Sequence, residues 1–494
     1  MRGLLASSIG VTCAAALALP LTPPASAVTA RPASTARAVP AAARPAGPAA
    51  PLAGSTQSLP LTPLARDRAG GTGAEQGLPP RDVRSFSLLG VVWDDPDAEL
   101  HGRVQVRTRA AGTGTWSDWQ DVETHNADHG ADPDTPERAS GHVRGATAPL
   151  WVGESDGVEV RVSPDAERRT EDTADGSRTV SSPLELPAGM RLELVDPGTT
   201  APAHAPVGPL RGRAATAQAA ADVPADAPAD AVAGTAAEPA AGTTAESVEA
   251  SAANGVLAPL GAAEIPALDL AGTERELLAL RSGELTAAQR AKPYIGPRPG
   301  IVTRRGWGAD EKLREKNFVY TTKVKAAFVH HTASGNTYKC SQVPSLIRGI
   351  YRYHVKSMGW RDIGYNFLVD KCGTIYEGRA GGVAKPVLGA HTLGFNSNSM
   401  GIAVLGTFTS TKPSAAAVKG IARLTAWKLG LFGADPNGKT YLKSGGGNLY
   451  RKGKNVRLNV ISGHRDGFAT ECPGRQLYGK LGSARTTAAG YQGR

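Results

Sequence analysis

Ala326-Ala327-Phe328-Val329-His330 stays apolar for four positions and ends on an imidazole. So short a run without alternation reads as a buried strand, with the histidine at its end. The pattern then switches period. Val343 to Met358 reads as an amphipathic helix with Leu346, Ile347, Ile350 and Tyr351 on one side. Tyr365 to Val369 is a second strand, and a turn at Lys371-Cys372-Gly373 leads into Thr374 to Glu377. Met400 to Phe408 is an apolar strand, Pro413 to Leu431 a helix and Val456 to Ile461 the last strand. Such alternation predicts an α/β domain over 300–485, with a central mixed sheet flanked by helices.

Upstream the composition changes several times. Arg2, an apolar run from Leu4 to Leu21 and the small residues Ala25-Ser26-Ala27 predict a signal peptide over 1–27, and Pro20, Pro23 and Pro24 stop the run short of a bilayer span. Residues 28–81 are rich in Ala, Pro, Thr and Arg without apolar period, and read as a disordered leader. From 82 to 198, Val104-Gln105-Val106, Val158-Glu159-Val160-Arg161-Val162 and Leu192-Glu193-Leu194 alternate between turns. That pattern predicts an all-β, sandwich-like accessory domain. Trp93, Trp116, Trp119 and Trp151 fall in it, as core residues or as a platform for sugar rings. Residues 199–255 read as an Ala/Pro-rich disordered linker spanning roughly 40 Å as a flexible coil. A short helical extension over 256–299 is expected to start at the capping box Thr273-Glu274-Arg275-Glu276.

A length of 494 residues exceeds a single core and fits this multidomain plan. Charge is divided. Residues 301–494 hold 30 Lys and Arg against 9 Asp and Glu, whereas the remainder holds 25 against 36. The C-terminal domain should therefore attract polyanions. Nucleic acid is the runner-up partner, and export argues against it; a membrane anchor is the alternative reading of the first apolar run, and no later segment is apolar enough to cross a membrane. Oligomeric state is not encoded in any pattern found.

Three groups in the C-terminal domain point to a metal: His330 at its strand end, and His464 and Cys472 after the last strand. Imidazole and thiolate suit zinc, and three protein ligands leave a fourth position for water. Spacing alone leaves a structural role for each open.

The words around them carry more. Arg304-Arg305-Gly306-Trp307-Gly308-Ala309, Phe328-Val329-His330-His331-Thr332-Ala333 and Trp360-Arg361-Asp362-Ile363-Gly364-Tyr365-Asn366-Phe367 follow in order. Ile375-Tyr376-Glu377-Gly378-Arg379, His391 through Ile402, Gly463-His464-Arg465-Asp466 and Thr470-Glu471-Cys472-Pro473-Gly474 complete the set. From about 300 to 482 the chain resembles the peptidoglycan recognition protein and type 2 N-acetylmuramoyl-L-alanine amidase family.

The resemblance implies a zinc amidase cutting the amide between muramic acid and the stem peptide, with Zn2+ held by His330, His464 and Cys472. His331 is then expected to pack or hydrogen-bond behind the metal. Members that only bind peptidoglycan have typically lost the Cys ligand, which stands here as Cys472; binding without catalysis is the alternative. Tyr365 matches the family's active-site tyrosine, and Thr470 is a second catalytic candidate. Zinc makes hydroxide available near pH 7 and polarises the carbonyl. Glu377 and Glu471 are candidate general bases. His391 and Asn396 are candidate substrate-binding residues or locally hydrogen-bonded loop residues, and Arg379 is a candidate clamp for a stem-peptide carboxylate or half of a structural ion pair. Ala380-Gly381-Gly382 replaces the Gly-Trp pair that marks peptide preference in animal relatives. His354, on the apolar side of its helix, reads as a core histidine.

With Cys472 on the metal and Cys13 in the signal, Cys340 and Cys372 remain as an exported pair expected to form a disulfide, with a second metal site as the alternative. Peptidoglycan and anionic wall polymers are the expected partners, and the expected location is secreted or cell-wall associated.

Overall fold

The computed structural model describes residues 53–64, 75–173, 176–199 and 244–494. The expected signal peptide, most of the leader and residues 200–243 of the linker lie outside them.

Apart from a separate hairpin of Ala166–Thr173 with Gly176–Pro183, the accessory domain is one antiparallel sheet. Its strands are β1 (Ser55–Pro60), β2 (Gln76–Trp93), β3 (Gly102–Ala110), β4 (Gln120–Val122), β5 (Leu150–Pro164) and β6 (Arg191–Asp196). They lie in the order β1-β6-β2-β5-β3-β4, with two short strands also on β2. β2 slips register against β5 at several points, so this long strand bends. Residues from five strands, including Phe86, Leu89, Val104, Val122, Val158 and Leu192, close one core.

The domain starts earlier than residue 82. β1 pairs with β6 along its whole length, and β2 begins at Gln76. β1 is an edge strand held by backbone bonds, and its side chains carry almost no apolar alternation. Trp93 and Trp151 are buried, whereas Trp116 and Trp119 are half-buried under the guanidinium groups of Arg107 and Arg161.

The C-terminal domain opens with α1 (Ala245–Ala252), which occupies the end of the expected linker; Thr244 caps it through a reciprocal bond with Ser247. The next helix, α2 (Leu270–Arg281), starts before the expected capping box, because Asp269 rather than Thr273 is its N-cap. Thr273 is buried inside it, donating to Asp269 O and accepting from Arg298 N.

Seven strands then form a mixed sheet: β7 (Glu264–Ile265), β8 (Ile301–Val302), β9 (Ala326–His331), β10 (Phe367–Val369), β11 (Ile375–Glu377), β12 (Ser399–Val404) and β13 (Ile461–Gly463). The order is β7-β8-β11-β10-β12-β9-β13, with β9 parallel to both neighbours. A strand flanked on both sides and covered on both faces must be apolar throughout, which is why Ala326 to Val329 shows no alternation.

Helices α3 (Val343–Arg352), α4 (Ala415–Gly430) and α5 (Leu481–Tyr491) cover this sheet. One face packs on α4 and α5 through Val329, Ile402, Ile421, Trp427 and Leu481. The other packs on α3, and α3 in turn meets the accessory sheet. Leu88, Val92, Trp151 and Val195 share a core with Leu346, Ile347, Ile350 and Tyr353. The accessory domain is thus docked by its second face. Tyr353, just past α3, crosses the seam and donates to Thr147 O at 3.1 Å.

Candidate metal centre

Topology brings the three predicted ligands together. His330 lies near the C-terminal end of β9, and β13 runs parallel beside it with Gly463 opposite Val329. His464 therefore emerges at the same end of the sheet, where α/β folds commonly place their sites. A turn after it returns the chain, fixed by Arg465 N donating to Cys472 O at 3.1 Å, so Cys472 faces the two rings.

A fourth donor joins them. One ligand atom each from His129, His330, His464 and Cys472 lies within 4.8 Å of all the others, and all four residues are buried. His330 Nδ1 is 3.1 Å from His464 Nδ1, and Cys472 Sγ is 3.8 Å from His330 Nδ1 and 3.9 Å from His129 Nε2. Zinc bonds of roughly 2.0–2.1 Å to nitrogen and 2.3 Å to sulfur give tetrahedral edges of about 3.3–3.6 Å, close to this spacing.

The protonation pattern favours a cation between them. His330 Nε2 faces His391 Nδ1 at 3.3 Å and Thr392 Oγ1 at 3.4 Å, so a proton on Nε2 leaves the Nδ1 lone pair free. His129 Nδ1 donates to Asp128 Oδ1 at 2.9 Å, which frees Nε2 toward the cluster, an arrangement typical of metal-bound histidines. His464 Nε2 and Asp128 Oδ2 are buried without a hydrogen-bond partner among the described residues. Burial, then the neighbouring rings, pushes the His330 pKa well down; burial lowers His464 to about 3 and pushes the Cys472 thiol up. Burial works against the Asp128 carboxylate, but the His129 and His464 rings outweigh it and hold it ionised. The donor set fits a soft or borderline divalent ion such as zinc.

Tyr365 lies over the cluster, its ring centroid 5.5 Å from that of His330 and 5.9 Å from that of His129. Burial, then Cys472 and Asp128, raises its pKa well above the usual phenol value, so it is a hydrogen-bond donor at neutral pH. Thr470 Oγ1 accepts from Cys472 N at 3.1 Å, and Thr470, Tyr365, His129 and Glu471 border one crevice. His331 is buried and accepts from Phe408 N through Nδ1, as a packing residue would. His354 is a core histidine, accepting from Gly364 N.

The three candidate substrate-binding residues all have partners within the chain. His391 is completely buried behind His330, where it orients that ring instead of bordering a cleft. Asn396 is buried too; its Oδ1 accepts from His391 N and Thr392 N, and its Nδ2 donates to Gly130 O and Asp132 Oδ1. Arg379 does clamp a carboxylate bidentately, at 2.9 Å on both oxygens, but it is that of Glu137 in the accessory domain.

Neither candidate base faces the cluster as one. Glu377 accepts from Asn254 Nδ2 and Arg304 N in the interior, and Glu471 is exposed and paired with Arg465. Much of the motif set is scaffold: Arg304 is buried between Glu311 and Asp362, and Trp307 Nε1 donates to Glu377 O. Cys340 and Cys372 are joined, with Cα atoms 6.5 Å apart.

Residues 320–475 match the N-acetylmuramoyl-L-alanine amidase family, and residues 40–182 match a family described as Rv3811 N-terminal galactose-binding domain-like. Peptidoglycan-recognition protein SC2 of Drosophila simulans is 31% identical over 182 residues, which cover 37% of this chain and 84% of that protein. The human N-acetylmuramoyl-L-alanine amidase is 29% identical over 243 residues, 48% of this chain but only 37% of the human protein. The solved structure of human PGRP-IBETAC in complex with glycosamyl muramyl pentapeptide aligns at 30% identity with a TM-score of 0.29, covering 37% of this chain and 93% of that one.

Proposed function

The chain belongs to the peptidoglycan recognition protein and type 2 N-acetylmuramoyl-L-alanine amidase family, and from that premise we propose that it is an exported zinc amidase cleaving the bond between muramic acid and the stem peptide. The observation that carries the reading is the meeting of His330, His464 and Cys472 at one buried point beside Tyr365. Bound zinc would supply Lewis acidity toward the amide carbonyl and lower the pKa of water from about 15.7 to roughly 7.

The chain's own groups do the rest. His391 and Thr392 hold the His330 ring in the tautomer that presents Nδ1. Tyr365 keeps its proton and donates to the oxygen on which negative charge develops, an effect worth about 3–4 kcal/mol for one donor. Thr470 fixes the Cys472 backbone and hence the direction of its sulfur. The Cys340–Cys372 link ties the loop after β9 to the turn before β11.

The test pairs metal analysis with product analysis. Purified protein should carry one zinc, and Cys472→Ser should lose it. Muropeptide incubated with wild-type protein or with Glu137→Gln, in which the hold on Arg379 is weakened, should yield a new free amino group on L-alanine. Muropeptide retained but returned intact by both would instead support binding without turnover.

A further inference from the structure

Three protein ligands leave a metal one open position for substrate and water, whereas four close it. Resting on the amidase reading above, we propose that His129 is a fourth metal ligand supplied by the accessory domain, so that the folded chain is a capped enzyme. The segment Asn126–Glu137 forms the cap.

Three side chains of that segment, His129, Asp132 and Glu137, reach polar groups of the C-terminal domain. His129 presents Nε2 to the cluster while Asp128 holds its other nitrogen, the carboxylate-histidine pairing that orients true metal ligands. Asp132 Oδ1 takes Gly394 N at 2.8 Å and Asn396 Nδ2 at 2.7 Å. Glu137 gives both oxygens to Arg379, standing where a peptide carboxylate would be clamped, and also accepts from Arg361 N at 3.3 Å.

The cap is held down by more than these polar contacts. Leu88, Val92 and Trp151 are packed in one core with α3. Gly349 of α3 comes so close that a Cβ there would meet Leu88 Cδ1 at 3.2 Å. Tethered to that seam, His129 competes for the metal intramolecularly, and a free ligand must overcome a high effective concentration. The occupant able to displace the cap offers a carboxylate for Arg379 and an oxygen donor for the metal together. A stem peptide attached through its amide has both.

The experiment uses the full chain loaded with Co2+, whose visible bands report ligand number, and azide as the probe for an open position. The wild-type spectrum should not move with azide. His129→Ala should change the resting spectrum, respond to azide and raise muropeptide hydrolysis at least tenfold. Because removing a buried ring can unfold the chain, Glu137→Gln is the second variant; it keeps all four donors and should respond to azide at concentrations that leave wild type unchanged.

An azide response of wild type equal to that of either variant would overturn the cap. So would an unchanged resting spectrum in folded His129→Ala. If azide gains access in the variants and no free amino group appears on L-alanine, the cap stands and the amidase reading falls.

Discussion

Gly90→Ala should cost stability through a clash that neither domain contains alone. A Cβ at Gly90 would lie 2.3 Å from Tyr353 Oη, 2.6 Å from Cζ and 2.8 Å from Cε2. The backbone at Gly90 is outside the left-handed region, so alanine on its own would stabilise by about 0.4–1 kcal/mol through the unfolded chain. Tyr353 is fully buried and hydrogen-bonded to Thr147 O, so its ring cannot retreat freely. Overpacking of this kind costs about 1–3 kcal/mol, and the strained hydroxyl bond adds up to about 1.5 kcal/mol. Set against the alanine gain, the net expectation is a loss of up to roughly 4 kcal/mol. Tyr353→Ala should itself cost about 3–5 kcal/mol. In that background Gly90→Ala should become neutral or slightly stabilising, because the obstructing ring is gone. Urea unfolding of the four proteins, with midpoints compared at a shared slope, measures the coupling. Equal costs for Gly90→Ala in both backgrounds, within about 0.5 kcal/mol, would refute the docking of the accessory sheet on Tyr353.

Burial raises the Glu377 carboxyl to about 7, against the hydrogen bonds from Asn254 and Arg304 N. Between the ordinary value of 4.5 and about 7 the folded chain keeps a proton that the unfolded chain has released, so this contribution is full at low pH and is lost as pH rises through 7. Urea midpoints at pH 5.5 and 7.5 should therefore differ less in Glu377→Gln than in wild type. Replacing Cys340 and Cys372 together by Ser should cost roughly 3–4 kcal/mol, from closure of a loop of about 30 residues; thermal unfolding checks it. Tyr365→Phe in the Glu137→Gln background should lower kcat by about 10²–10³ with zinc content unchanged, as read by steady-state muropeptide assays.

The α/β layer was readable because its periodicity is imposed by local packing. Ala326 to Val329 could only be a central strand, and the ends of β9 and β13 had to adjoin if both were parallel neighbours. His129 was not readable. It sits among Asp, Gly and Pro in a loop whose composition matches any surface turn, and its role comes from a docking that no local pattern encodes. One signal did exist. Leu88-Leu89-Gly90-Val91-Val92-Trp93 is apolar on both strand faces, and a sheet with one face in water would alternate there. The surroundings of the substrate-binding candidates were hidden for the same reason: Arg379 and Asn396 have partners in the accessory domain that their own motifs do not contain.

The pairing of β7 with β8 sets where a self-sufficient fragment can begin. Cutting at residue 300 would strip Glu264–Ile265 from the sheet and bare the ladder of Ile301–Val302, a ready site for aggregation between copies. It would also delete Asn254, which donates to Glu377 and accepts from Val383 N. A soluble C-terminal piece must therefore start no later than Thr244, well ahead of the first recognisable motif.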